Sequence, residues 1–132
     1  MPLTDHIESS FKDLVVYKKA FEMAMDIFRI TKSFPVEERY SLTDQVRRSS
    51  RSVCSNLAES YRKRQYPAHF LSKISDADME NSETQVWIDF SLQCGYITSY
   101  THNTLMVKSF EIGRILNHMT RYPEKFVLKS GG

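Results

Sequence analysis

The stretch "YSLTDQVRRSSRSVCSNLAESYRKR", Tyr40 to Arg64, decides how this chain is read. Leu42, Val46, Val53, Leu57 and Tyr61 recur at helical spacing and form one sparse apolar line. Ser49 and Ser50 fill the gap in that line, and small residues continue at Ser52, Cys54, Ser55 and Ala58. Small side chains let a neighbouring helix come close, where dispersion contacts form without voids. Ser41 or Thr43 offers an N-cap, and Asp44 suits the positive end of the helix dipole. The same helix carries Arg47, Arg48, Arg51, Arg62, Lys63 and Arg64. It is either a packed seam with solvated cations or a surface built for phosphates.

Working outward, the segment Phe11 to Lys32 holds two adjacent helical stripes. One is Leu14, Tyr17, Phe21, Ala24 and Phe28; the other is Val16, Ala20, Met23, Ile27 and Ile30. "SFP" at Ser33 to Pro35 ends this first helix. The second starts between Val36 and Leu42 and runs to about Lys63. "RQYP" turns the chain, and Pro67 suits the first turn of a third helix. Phe70, Ile74, Ala77, Asn81, Thr84, Ile88 and Leu92 mark its inner face, and Gly95 is its C-terminal cap. A fourth helix begins near Thr98 or Ser99, repeats through Leu105, Ser109, Ile112, Leu116 and Met119, and stops at Pro123. Four long helices with short connections predict an all-α, antiparallel up-and-down four-helix bundle. One domain over residues 1–132 is expected, ordered from about 11 to 122, with short flexible termini.

The totals narrow the function classes. At 132 residues and 41% hydrophobic, the chain has material for one core. Net charge is only +2, so polyanion binding must rest on local patches. No apolar run is long enough to span a membrane, and "MPLTDHIESS" is unlike a signal peptide. Cys54 and Cys94 lack CxxC spacing and read as small buried residues of a reducing cytoplasm.

Local charge is uneven. Residues 39–64 hold seven Lys/Arg and two acids, a local +5; residues 67–94 hold one Lys and five acids, a local −4. Ion pairs between the second and third helices, or across a subunit boundary, are therefore expected to occupy Arg47, Arg48 and Arg51. The competing reading is phosphate binding, with Tyr61 and Tyr66 available to stack and "YRKRQY" at an exposed helix end.

Catalytic and metal signatures are missing. No Glu-x-x-His pair of the di-metal bundle type occurs, and His6, His69, His102 and His118 are scattered singly. HExxH, GxSxG, GxxxxGK and GxGxxG are absent. Asp76, Glu80 and Glu83 share a face, where salt bridging to the basic helix is expected rather than acid–base work. The expectation is a non-enzyme with no cofactor and no metal.

"FKDLVVYKKA", "ITKSFPVEERYSLTDQVRRSSRSVCSNLAESYRKR" and "ENSETQVWIDFSLQCGYI" together resemble the bacterial four-helix-bundle proteins of the 23S rRNA intervening-sequence family. The likeness covers about residues 11–122, and its most specific piece contains "LTDQVRRSSRSV". That family often has Gly after the acid matching Glu59, where this chain has Ser60. The resemblance implies an antiparallel bundle, ring-shaped homopentamers and no known enzymatic activity. Related accessory variability proteins of diversity-generating retroelements are basic pentameric barrels that work with nucleic acid. Carried over, Arg47, Arg48, Arg51, Arg62, Lys63 and Arg64 become the candidate contacts. Two functions stand: a cytoplasmic accessory protein binding RNA or DNA weakly and without sequence preference, or a structural, protein-interaction module. In both, the nearest partner is a second copy of the chain.

Overall fold

The computed structural model describes residues 10–128. Four helices carry it: α1, Val15–Thr31; α2, Leu42–Arg62; α3, Pro67–Gln93; and α4, Ser99–Arg121. No strand occurs among the described residues. Short flexible termini are expected before about residue 11 and after about 122; of these, residues 1–9 and 129–132 lie outside the described residues.

Side-chain pairs give the relative direction of the helices. Arg47 meets Thr31 while Arg51 lies over Phe28. Thr84 meets Ser49 while Lys73 meets Glu59. Asn81 meets Ser109 while Asp89 meets His102. Lys19 meets Glu111 while Glu22 meets Lys108. In each pair of helices one number rises as the other falls, so neighbours run antiparallel and α4 returns to α1. This is the up-and-down bundle the periodicity predicts.

The core is one cluster drawn from all four helices. It includes Val16, Met23 and Ile27 of α1, Val46, Val53 and Leu57 of α2, Phe70, Ile74 and Ile88 of α3, and Ile112, Leu116 and Met119 of α4. Of the two stripes on α1, the second is the buried one, apart from half-buried Ile30. In the first, only Ala24 is buried; Tyr17 and Phe28 are half-covered and Phe21 is 51% exposed.

The serines divide the same way. Ser49, Ser50 and Ser60 are buried, Ser52, Cys54 and Ala58 are half-buried, and Ser55 is exposed. Buried hydroxyls need partners. Ser50 and Ser60 donate back to the carbonyls of Val46 and Leu57 at 2.8 and 2.7 Å. Thr84 Oγ1 lies 2.8 Å from Ser49 Oγ and ties α3 to α2.

Helix ends follow local rules in α3 and α4. Pro67 opens α3. Gly95, at φ +79°, closes it: its amide donates to Leu92 and the Tyr96 amide to Ser91, a Schellman closure. Thr98 caps α4 by accepting from the Thr101 amide at 3.1 Å.

Four expectations are corrected. First, α1 does not begin at Phe11. Ser10 and Asp13 form a reciprocal capping box around a single 3-10 turn, Phe11–Asp13, and extended Leu14 separates it from α1. Second, neither Ser41 nor Thr43 caps α2 with its side chain; Glu38 Oε1, one turn upstream, accepts the Leu42 amide at 3.3 Å. Third, Cys94 is exposed and Cys54 only half-buried, and burial pushes the Cys54 thiol up to about 11. Fourth, packing against the bundle continues past Tyr122. A 3-10 turn, Pro123–Lys125, brings Phe126 and Val127 against the core, and the Leu128 amide donates to the Arg64 carbonyl at 3.0 Å.

Candidate nucleic-acid interface

The outer face of α2 is read from the helix period. Asp44, Arg47, Arg48, Arg51 and Ser55 fall within one broad sector, opposite buried Val46, Val53 and Leu57, and Tyr40 lies in the turn just before the helix. Together with Arg39, Thr43 and Ser52 they line an open groove of about 530 Å³.

Two cations of this groove, Arg47 and Arg51, are held by groups of α1. Arg47 Nε donates to Thr31 Oγ1 at 2.8 Å, and its Nη2 reaches the Phe28 carbonyl at 3.4 Å. The guanidinium carbons of Arg47 and Arg51 lie 4.9 and 5.8 Å from the centre of the Phe28 ring. One half-covered phenylalanine of α1 therefore positions two guanidiniums of α2 by cation–π attraction.

The ion pairs expected between α2 and α3 do not form at these residues. Among the described residues, no carboxylate pairs with Arg39, Arg47, Arg48 or Arg51. The ion pair that does join the two helices runs the other way: Lys73 of α3 reaches Glu59 of α2 at 2.9 Å. Its Nζ also lies 3.9 Å from Asp76. Glu80 is the acid of α3 that feels Arg48. Burial and then the Glu83 charge still push the Glu80 carboxyl up, against the opposing pull of Arg48. Glu83 Oε1 accepts from Trp87 Nε1 at 3.2 Å. The strongest charge pairing lies between α1 and α4, where Lys108 meets Asp26 and Glu22 and Lys19 meets Glu111 at 2.7 Å.

The second basic group, at the end of α2, is split by the structure. Arg62 and Lys63 are exposed. Arg64 is half-buried; its Nε donates to the Tyr61 carbonyl at 2.8 Å and its guanidinium carbon sits 3.6 Å from the Tyr61 ring centre. The six cations thus do not form one surface. Arg47, Arg48 and Arg51 share the groove, Arg62 and Lys63 stand exposed at the helix end with Lys63 Nζ 5.9 Å from the Tyr66 ring centre, and Arg64 covers Tyr61.

Tyr40, Thr43 and Phe28 are the members that the sequence pattern alone did not single out. Tyr40 is 85% exposed. Thr43 is only 7% exposed, and its sealed Oγ1 has no hydrogen-bond partner among the described residues. Among the described residues no three His, Cys, Asp or Glu side chains are grouped to share a metal ion. No described helix is long and apolar enough to cross a membrane.

Residues 12–118 match the family model described as 23S rRNA-intervening sequence protein. The chain belongs to that family. A solved structure from Bacteroides thetaiotaomicron VPI-5482, described as a protein with unknown function from the S23 ribosomal protein family, is similar to it at a TM-score of 0.73. The two are 29% identical over 80% of this chain and 98% of that one. No curated protein matches. Within this intervening-sequence protein the matched region contains the whole α2 groove and both basic groups.

Proposed function

We propose that this protein is a non-enzymatic, cytoplasmic homo-oligomer, a pentamer, that associates weakly with RNA or DNA through the outer face of α2, without sequence preference. The observation that carries the reading is the groove itself. Four arginines line it with no carboxylate paired to any of them among the described residues, and Phe28 pre-positions two. Repeated around a closed assembly, a weak cationic site gains effective concentration. Five is the copy number that the family resemblance implies. Support for assembly comes from exposed apolar side chains, Phe21 on α1 and Val107 and Phe110 on α4, of a kind that soluble monomers seldom cluster.

The test pairs light scattering with fluorescence anisotropy on one sample. A mass near five times the 15.5 kDa chain is expected, with binding that weakens steeply between low and physiological salt as counterions are released. A clean monomer at micromolar concentration overturns the assembly. An intact oligomer that binds no nucleic acid at low salt leaves the second reading, a structural or protein-interaction module. Exposed Met79, Val86 and Phe90 on the outer face of α3 favour that alternative.

A further inference from the structure

The groove on α2 is not uniformly cationic. Tyr40, in the turn before α2, and Asp44, in its first turn, lie at the upstream end, and Arg47, Arg48 and Arg51 occupy the next two turns. A carboxylate repels phosphate, so Asp44 makes the upstream end unsuitable for a backbone charge. The downstream end suits it. Arg47 and Arg51 are separated by about 6 Å along the helix axis, from the rise of an α-helix. Phosphates that follow one another along an unpaired strand can meet both. Both guanidiniums are already held against Phe28, so little side-chain freedom is lost on binding.

One observation points to a ligand beyond the charges. The Tyr40 ring is 85% exposed and lines the same groove as the arginines. An exposed aromatic beside a cationic groove is a platform on which an unstacked base can lie. A duplex keeps its bases stacked inside and has no use for such a ring. A groove of about 530 Å³ is of the size that holds small ligands or a short strand segment.

We infer that the groove holds one unpaired nucleic-acid strand. A base stacks on Tyr40, and consecutive phosphates lie on Arg47 and Arg51 with Arg48 beside them. This rests on the nucleic-acid reading above and goes beyond it, because it selects single strands over duplexes and assigns the choice to Tyr40.

The experiment uses the full chain, with its oligomeric state checked, and anisotropy titrations at low salt against a short labelled oligoadenylate and a labelled duplex. Single strand is expected to bind more tightly. Tyr40→Ala is expected to weaken the single strand about tenfold, the scale of removing one ring on which a base stacks, and to leave the duplex unchanged. Tyr40→Phe keeps the ring and should keep the affinity. Equal affinity for both nucleic acids, with Tyr40→Ala silent, overturns this inference while leaving the electrostatic reading of the face in place. No binding of either at low salt overturns both.

Discussion

Asn81 and Ser109 hold each other across the α3–α4 interface by two reciprocal hydrogen bonds. Asn81 Nδ2 donates to the Ser109 carbonyl at 3.0 Å, and Ser109 Oγ donates to Asn81 Oδ1 at 2.9 Å. Gln85 Nε2 adds a third donor, to Ser109 Oγ at 2.8 Å. Asn81 is 1% exposed and Ser109 fully buried, so the site has no water to fall back on. A polar knot inside an apolar bundle favours one register of α4 on α3, since any slip leaves its members unpaired.

Asn81→Ala should therefore lower stability by about 2 kcal/mol, the scale of leaving buried partners unsatisfied. Ser109→Ala should cost a similar amount. Because the two act as a unit, the double variant should cost less than their sum by about 1 kcal/mol. Urea unfolding midpoints with unchanged slope measure all three. Additive losses would sink the idea of a coupled pair.

The two described glycines predict opposite outcomes. Gly95 holds φ +79° at the end of α3, where an L side chain is strained, so Gly95→Ala should destabilise by about 1 kcal/mol. Gly113 lies inside α4. A Cβ there would meet Asn81 Nδ2 at 3.5 Å, an ordinary contact. Gly113→Ala should stabilise by about 0.5–1 kcal/mol through helix propensity. Thermal melts of the two variants distinguish them by sign alone.

Tyr96 joins the α3–α4 connection to the start of α2. Its hydroxyl donates to Glu38 Oε2 at 2.9 Å, while Glu38 Oε1 accepts the Leu42 amide. That hydrogen bond to a carboxylate, with some burial, pushes the phenol up to about 12. The protonated phenol is the form the fold favours. Its contribution is whole below the ordinary tyrosine value of 10.0 and fades as pH rises through about 12. Ultraviolet titration should show a phenolate transition near pH 12 that disappears in Tyr96→Phe. In Glu38→Gln it should move back toward 10.0. A transition unmoved in Glu38→Gln would detach the two residues.

Features set by neighbours in the chain were legible in advance: Pro67 opening α3, Gly95 closing it, and the start of α4 at Thr98 or Ser99. Those that depend on tertiary placement were not. Glu38 caps α2 from outside the helix, held by a tyrosine 58 residues away. Leu14 continues the apolar stripe of α1, yet the Ser10–Asp13 box ends the turn before it. Net charge per helix misled most. It counts charges without faces, and Arg47 turns toward α1 while Lys73 of α3 reaches back to Glu59. Of the candidate site, the cations were legible from composition. Their sorting into groove, exposed end and Tyr61 cover required the packing.

That sorting makes the end of α2 testable on its own. Arg62 and Lys63 are exposed, and neither is in an ion pair among the described residues. Arg64 is different, because its guanidinium covers Tyr61 and its carbonyl holds the returning Leu128 amide. Arg64→Ala removes the cation–π attraction and should cost about 1 kcal/mol of stability. The double variant Arg62→Ala, Lys63→Ala should stay within about 0.5 kcal/mol of the parent. It is thus the cleaner probe of phosphate binding. If both side chains neutralise phosphates, the slope of log affinity against log salt should fall by about 2, one for each phosphate no longer neutralised. A double variant with the parent's affinity and the parent's slope would restrict binding to the groove around Arg47, Arg48 and Arg51.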